Sequence, residues 1–138
     1  MKQIKNNTLI ACYMGQKESN SFTINEDGSK NPGMILTIND KEYQYYLYPT
    51  KHFSDIRILK FHESWEWLMP VVLKITGEYH EFMCRESEGE PYCEILCYKE
   101  GKLNKQITVE DFDLFKTIYK AVIKFIKWHN KCNHHENL

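Results

Sequence analysis

Four side chains that commonly bind metals crowd the carboxyl end of the sequence: His129, Cys132, His134 and His135. On a continuing helix His129 and Cys132 would lie one turn apart, so both could reach one zinc ion if the last histidines folded back. No second Cys/His pair at zinc-finger spacing accompanies them, and polar chain ends often carry incidental histidines. We therefore predict no metal site and no cofactor, with a small metal-dependent hydrolase as an alternative.

Two cysteines should face each other in a predicted β-hairpin over residues 79–98. If this hairpin is symmetric about Glu88 and Gly89, Cys84 lies opposite Cys93, a placement compatible with a disulfide or a redox pair. Cysteines are also among the most commonly buried small residues, and two of them in one core need no redox role. We predict structural burial and no catalytic residues, and keep a cysteine-dependent hydrolase, with His80 as the nearby base, as an alternative.

A strand rich in tyrosine is the most unusual local feature. Residues 43–48 contain four tyrosines, and the alternation of a strand places Tyr46 and Tyr48 on one face. An exposed aromatic face beside a few charges suits a protein partner or stacked bases, although sheet tyrosines often pack their rings and leave only the hydroxyl in water. The predicted binding residues are Tyr46, Tyr48, Lys51, His52 and Arg57.

Readable catalytic signatures are absent from the sequence. It has no glycine-rich phosphate loop, no serine nucleophile elbow and no kinase or dinucleotide fingerprint. Acidic residues at 86, 88 and 90 are typical of a solvated turn, and Glu66 between Trp65 and Trp67 is typical of the first turn of a helix. These observations favour a protein that is not an enzyme.

Composition and charge narrow the class further. The 138 residues carry 18 Lys+Arg against 19 Asp+Glu, a net charge of −1, which disfavours bulk attraction to nucleic acid or to an anionic membrane. No apolar run approaches the ~20 residues of a membrane span. Five cysteines, an odd number, and no secretory apolar core predict a cytoplasmic protein. The length predicts one α+β domain over residues 1–138, with 132–138 as a flexible tail.

The apolar patterning predicts strands near residues 8–14, 34–38, 42–48, 79–85 and 92–98, with a loop at 25–33. A short strand at 22–24, just before that loop, is left open. It predicts two helices, at about 64–76 and 109–131. The first would bury a stripe made of Trp65, Leu68, Met69, Val72 and Ile75, and the second would start after a Thr108 cap and bury Phe112. The predicted architecture is a mainly antiparallel sheet of about five strands packed against these two helices.

Three segments resemble a group of small uncharacterised proteins from bacteriophages and prophages of Bacteroidota. They are Asn7 to Gly15 (NTLIACYMG), His62 to Ile75 (HESWEWLMPVVLKI) and Ala121 to Trp128 (AVIKFIKW), and the specific part is WEWLMPVV. The resemblance implies a phage or mobile-element accessory protein. It implies no activity and no catalytic residues.

The functional expectation is therefore a non-enzymatic phage or prophage accessory binding protein, such as an inhibitor of a host defence protein or nucleoprotein. Its partner would contact the Tyr46 and Tyr48 face and the segment from Lys51 to Arg57. Besides the hydrolases, the alternative is a small-ligand protein that holds a nucleotide signal between the sheet and the tryptophan helix. Elemental analysis of the purified protein for zinc would distinguish the metal-dependent hydrolase from the other hypotheses. The sequence predicts no oligomeric state.

Overall fold

The structure is a computed structural model that describes the backbone of residues 2–15, 17–24, 30–38, 41–46 and 59–136. Side chains are described for residues 5–15, 35, 59–86 and 88–133. The chain divides into two compact units, Met1–Lys60 and Phe61–Leu138, and each is described by itself. The fold is α+β, as predicted, with antiparallel strand pairing throughout the described strands.

The first unit contains helix α1 (Lys2–Tyr13) and a three-stranded sheet of order β1-β2-β3. The strands are β1 (Lys17–Ile24), β2 (Lys30–Ile38) and β3 (Lys41–Tyr46). The predicted hairpin between the second and third of these is confirmed, since Ile38 pairs with Lys41 and Gly33 with Tyr46.

The strand predicted at residues 8–14 is wrong, because this segment belongs to α1. Asn7, Ile10 and Ala11 are buried, at the i, i+3, i+4 spacing of one helical face. A short apolar run bounded by polar residues fits a strand or a buried helix equally well, and only the buried face distinguishes them.

The predicted loop at 25–33 is wrong over its last residues, since Lys30, Asn31, Pro32 and Gly33 form the start of β2. Pro32 pairs with Phe22, beside an irregularity in the β1–β2 register between Glu18 and Phe22. Proline within a sheet is tolerated at such irregularities, so pairing with β1 overrides the local turn composition.

The second unit contains the sheet β4-β5-β6 and helices α2 (Trp65–Gly77) and α3 (Leu114–Glu136). The strands are β4 (Glu81–Ser87), β5 (Glu90–Lys99) and β6 (Lys102–Glu110). Helix α3 packs on β5 and β6, whereas α2 contacts β4 and α3. The core between sheet and helices includes Ile95, Ile107, Val109, Phe125 and Ile126.

Both connections in this sheet are two-residue turns. Glu88 and Gly89 have φ of 55° and 84°, and Glu100 and Gly101 have φ of 53° and 76°. Positive φ at both turn positions gives the twist that matches a hairpin. The first turn fixes the β4–β5 register, and Cys84 pairs with Cys93 as predicted.

The sequence prediction missed β6 and started the last helix too early. Residues 102–110 form a strand in which Ile107 and Val109 are buried, so Thr108 lies in a strand opposite Glu94. Asp113 supplies the helix cap instead, because its Oδ2 accepts a hydrogen bond from the Lys116 amide at 3.2 Å. The α3 bounds of 114–136 replace the predicted 109–131, and Phe112 lies before the helix, 87% exposed.

The described part of the chain thus has six strands, in two three-stranded sheets, and three helices. The prediction was one sheet of about five strands and two helices. The segment predicted as the first strand belongs to helix α1, β1 covers residues 17–24 where only a short strand at 22–24 was considered, and β6 was not predicted. The prediction of a single domain with a flexible tail remains a prediction. No helix in the described part of the chain is long and apolar enough to cross a membrane.

Candidate functional site

Helix α2 is apolar on more of its surface than the fold can bury. Its inward face is made of Leu68, Val71 and Ile75, all with no exposed surface. Because the helix is apolar nearly all round, periodicity alone does not fix which side faces the core. The predicted buried stripe is therefore partly wrong: Leu68 and Ile75 are buried, but Trp65 and Met69 are 42% and 40% exposed.

Three large apolar side chains follow one another along the outer face of α2, one turn apart. Trp65, Met69 and Leu73 are spaced four residues apart, and Leu73 is the most open at 65% exposed. Residues at i, i+4 and i+8 form a continuous row on a helix surface. We call these three residues the α2 stripe.

The amino-terminal end of the α2 stripe is held in place by α3. The Trp65 ring meets the Phe115 ring edge-on, with 4.7 Å between centroids and an interplanar angle of 78°. On the preceding turn, Phe61 meets Trp67 in the same way at 5.1 Å. Each such aromatic pair contributes about 0.5–1.5 kcal/mol beyond the energy gained by burying its surface, so these two pairs stabilise the start of α2.

The start of α3 adds a second exposed apolar pair, made of Phe112 just before the helix and Leu114, its first residue. Asp111 fixes its backbone, because Oδ1 accepts a hydrogen bond from the Phe112 amide at 2.7 Å and Oδ2 accepts one from Lys120 Nζ at 2.5 Å. The Lys120 ammonium and the Phe112 amide hold the pKa of the Asp111 carboxyl below its usual range. Phe112 is therefore presented to solvent from an ordered turn.

A histidine is buried at the start of β4, against the aromatic residues of α3. The His80 ring lies 4.9 Å from the Phe125 ring and 5.7 Å from that of Trp128. Its Nδ1 accepts a hydrogen bond from the Tyr98 amide at 3.0 Å. Burial lowers the pKa of His80, the carboxylate of Glu78 opposes that shift, and His129 adds to it.

The His80 site makes stability depend on pH. Because the folded pKa lies below the unfolded value, the unfolded chain binds more protons as pH falls through about 6.5, so stability is lost toward acid. Protonation would also remove the lone pair that accepts the Tyr98 amide. Urea titrations at pH of about 7.5 and 5.5 should show a larger loss in the free energy of unfolding for wild type than for His80→Asn. The asparagine Oδ1 can still accept the hydrogen bond from the Tyr98 amide, but it does not titrate. Equal losses in both chains would contradict this assignment.

An open pocket of about 610 Å³ lies beside this histidine, lined by Glu78, Tyr79, Glu81, Tyr98, Glu100 and Gly101. Three carboxylates and two phenol rings suit a cationic group and repel phosphate. Among the described residues, no three metal-ligand side chains lie close enough together to hold an ion. The pocket thus has the chemistry of a weak cation site and not of a nucleotide site.

The two cysteines of the β4–β5 hairpin are in direct contact. The Sγ atoms of Cys84 and Cys93 are 2.8 Å apart, with Cys84 exposed and Cys93 fully buried. Burial raises the pKa of the Cys93 thiol, and the hydrogen bond that it shares with Cys84 adds to this shift. Burial also raises the pKa of Cys97, to about 11. Cys93 is buried as predicted, whereas Cys84, for which burial was also predicted, is exposed.

Most of the predicted site residues fall outside the described part of the structure. Tyr46 ends β3, with its side chain outside the described set, and Tyr48, Lys51, His52 and Arg57 lie outside the described residues altogether. His129 and Cys132 lie on α3, where His134 and His135 also fall, although the side chains of the last two are not described. The tyrosine-strand surface therefore remains a prediction.

The sequence prediction missed the α2 stripe and the His80 site. The signal for the stripe was present: Trp65, Met69 and Leu73 lie four residues apart, which indicates a second apolar face on a helix that already has one. His80 carried no such signal, because its aromatic neighbours Phe125 and Trp128 lie more than forty residues further along the chain.

No family model, curated protein or solved structure matches the chain significantly. The resemblance of the three segments to phage and prophage proteins therefore remains a prediction.

Proposed function

We propose that this protein is a non-enzymatic accessory binding protein of a phage or prophage, and that it binds a host protein through the α2 stripe. The observation that carries the proposal is the continuous row of Trp65, Met69 and Leu73 on the outside of α2. Contiguous exposed apolar residues on a soluble domain mark interaction surfaces more often than chance exposure does.

The composition of the α2 stripe is that of a binding hot spot. Tryptophan and methionine are enriched in protein interfaces, and an aromatic anchor near the centre of an interface carries much of the binding energy. Trp65 is held by Phe115, so little conformational entropy is lost when a partner covers it. Glu63 and Glu66 are exposed beside it and favour a partner with a basic rim.

The biological setting of the proposal comes from the sequence. The phage-like segments favour a host target such as a defence protein or nucleoprotein, and the odd cysteine number favours the cytoplasm. Tyr46, Tyr48, Lys51, His52 and Arg57 are proposed as a second contact region for the same partner. The acidic lining of the pocket beside His80 disfavours a nucleotide signal at that position.

Site-specific photo-crosslinking in the native host cell tests this proposal. A photoreactive phenylalanine derivative placed at Leu73 should give a discrete heavier adduct containing one host protein. The same group at Lys124, an exposed position on α3, is the matched control and should give none. Placement at Tyr46 reports on the second region.

The outcomes separate the possibilities. An adduct of twice the chain mass would show self-association in place of a host partner. Equal labelling at Leu73 and Lys124 would show that the α2 stripe has no selective partner, and an adduct at Tyr46 without one at Leu73 would move the binding surface to the tyrosine strand.

A further inference from the structure

We propose that Cys84 and Cys93 form a redox-active dithiol, which a low-molecular-weight disulfide such as oxidised glutathione converts reversibly into an intramolecular disulfide. The inference is independent of the α2 stripe. It assigns a modification site to the β4–β5 hairpin.

The geometry already places both sulfur atoms for bond formation. Cys84 and Cys93 are directly opposite in the antiparallel ladder, and their Sγ atoms are 2.8 Å apart. Opposite residues in such a ladder have Cα atoms about 4.5–5.5 Å apart, which lies within the ~4.4–6.8 Å range of natural disulfides. The bond therefore needs no rearrangement of the hairpin.

The two thiols differ in access, and this difference sets the order of the reaction. Cys84 is exposed, so a reagent in solution reaches it, whereas Cys93 has no exposed surface. Cys93 is thus protected from direct attack and is available only to a sulfur that is already its neighbour. Cys97 is also buried, but it lies about 13 Å further along β5 and cannot replace Cys93.

The chemistry is two successive thiol–disulfide exchanges. The Cys84 thiolate attacks one sulfur of glutathione disulfide, whose S–S bond breaks to give a Cys84–glutathione mixed disulfide and one glutathione thiolate. Cys93 then gives its proton to that thiolate, attacks the Cys84 sulfur and displaces the second glutathione thiolate. Two protein thiols are oxidised by two electrons, and one glutathione disulfide is reduced to two thiols.

The test uses the reduced full-length protein in buffers with different ratios of reduced to oxidised glutathione, followed by acid quenching, alkylation and peptide mapping. In wild type we expect a single link between Cys84 and Cys93, a loss of about 2 Da in the intact chain, and full reversal with reduced glutathione. Cys97→Ser, at the other buried thiol of the same strand face, should form the same link.

Two variants divide the mechanism into its steps. Cys93→Ser should stop at glutathione bound to Cys84. Cys84→Ser changes an exposed residue and so preserves the fold, and it should leave Cys93 unmodified in the native protein. The proposal is overturned if wild type accumulates stable glutathione on Cys84 without the link, or if Cys93 reacts equally fast when Cys84 is absent.

Discussion

Replacing Phe125 with alanine should lower the free energy of unfolding of the 61–138 unit by about 3–5 kcal/mol. Phe125 is fully buried in the middle of α3, and its ring lies 4.9 Å from His80, 5.7 Å from Trp128 and 5.9 Å from His129. The variant would lose the transfer energy of the ring and leave a cavity beneath three aromatic neighbours. Small domains have total stabilities of about 5–15 kcal/mol, so this loss is a large fraction.

The loss of stability can be measured by guanidinium titration, with tryptophan fluorescence reporting the unfolding of the 61–138 unit. All three tryptophans, Trp65, Trp67 and Trp128, lie in the 61–138 unit, so their emission reports on its unfolding. Lys124→Ala, at the exposed position next to Phe125, should change stability by less than about 0.5 kcal/mol. A Phe125→Ala midpoint equal to that of this control would contradict the central packing of Phe125.

The hairpin that carries the cysteine pair could be predicted from sequence because its turn determines its register. Glu88 and Gly89 both adopt positive φ, and a two-residue turn leaves one way to pair the flanking strands. The position of Cys84 opposite Cys93 follows directly. The exposure of Cys84 could not be predicted from the turn, because it depends on how the rest of the unit covers the edge of β4.

Helix α2 shows the limit of periodicity. Its bounds were predicted within one residue, and Ser64 is the N-cap as predicted, although its side chain makes no capping hydrogen bond. The face that it buries was predicted only in part, since Trp65 and Met69 point to solvent. When a helix has apolar residues on two sides, its packing against the other elements decides which side is buried. The helix's own sequence does not reveal that packing.

Strand β6 was missed because most of its residues are polar, and part of helix α1 was predicted as a strand because its apolar run is short. The first half of β6 is Lys102 to Gln106, which is polar and exposed, and only Ile107 and Val109 are buried. The first half of α1 is similarly polar. An element whose apolar residues are concentrated at one end shows less than one full period in the sequence, so the local pattern resembles a loop or a different element.

Charging the α2 stripe should abolish partner binding and spare the fold. In Met69→Glu/Leu73→Glu, both new carboxylates would lose their hydration in the interface, and the apolar contacts of both residues would be lost. We expect at least about 100-fold weaker binding. Both positions are exposed in the free protein, and glutamate is a good helix former, so the free energy of unfolding should stay within about 0.5 kcal/mol of wild type.

A stability change of the same size as the binding change would show that these residues hold the fold. A loss of affinity with an unchanged free energy of unfolding would show that Met69 and Leu73 belong to the interface. Because Trp65 also packs on Phe115, substitutions there would mix the two effects, and Met69 and Leu73 are the cleaner positions.

The most direct single measurement is calorimetric titration of the purified, crosslink-identified partner into Leu73→Glu and Lys124→Glu. The control changes the net charge by more than the test variant, since it replaces a cation with an anion, so a nonspecific electrostatic effect would change its dissociation constant more than that of Leu73→Glu. Binding through the α2 stripe predicts at least about a tenfold larger dissociation constant for Leu73→Glu and a value near wild type for Lys124→Glu. Equal dissociation constants for wild type and Leu73→Glu would contradict it.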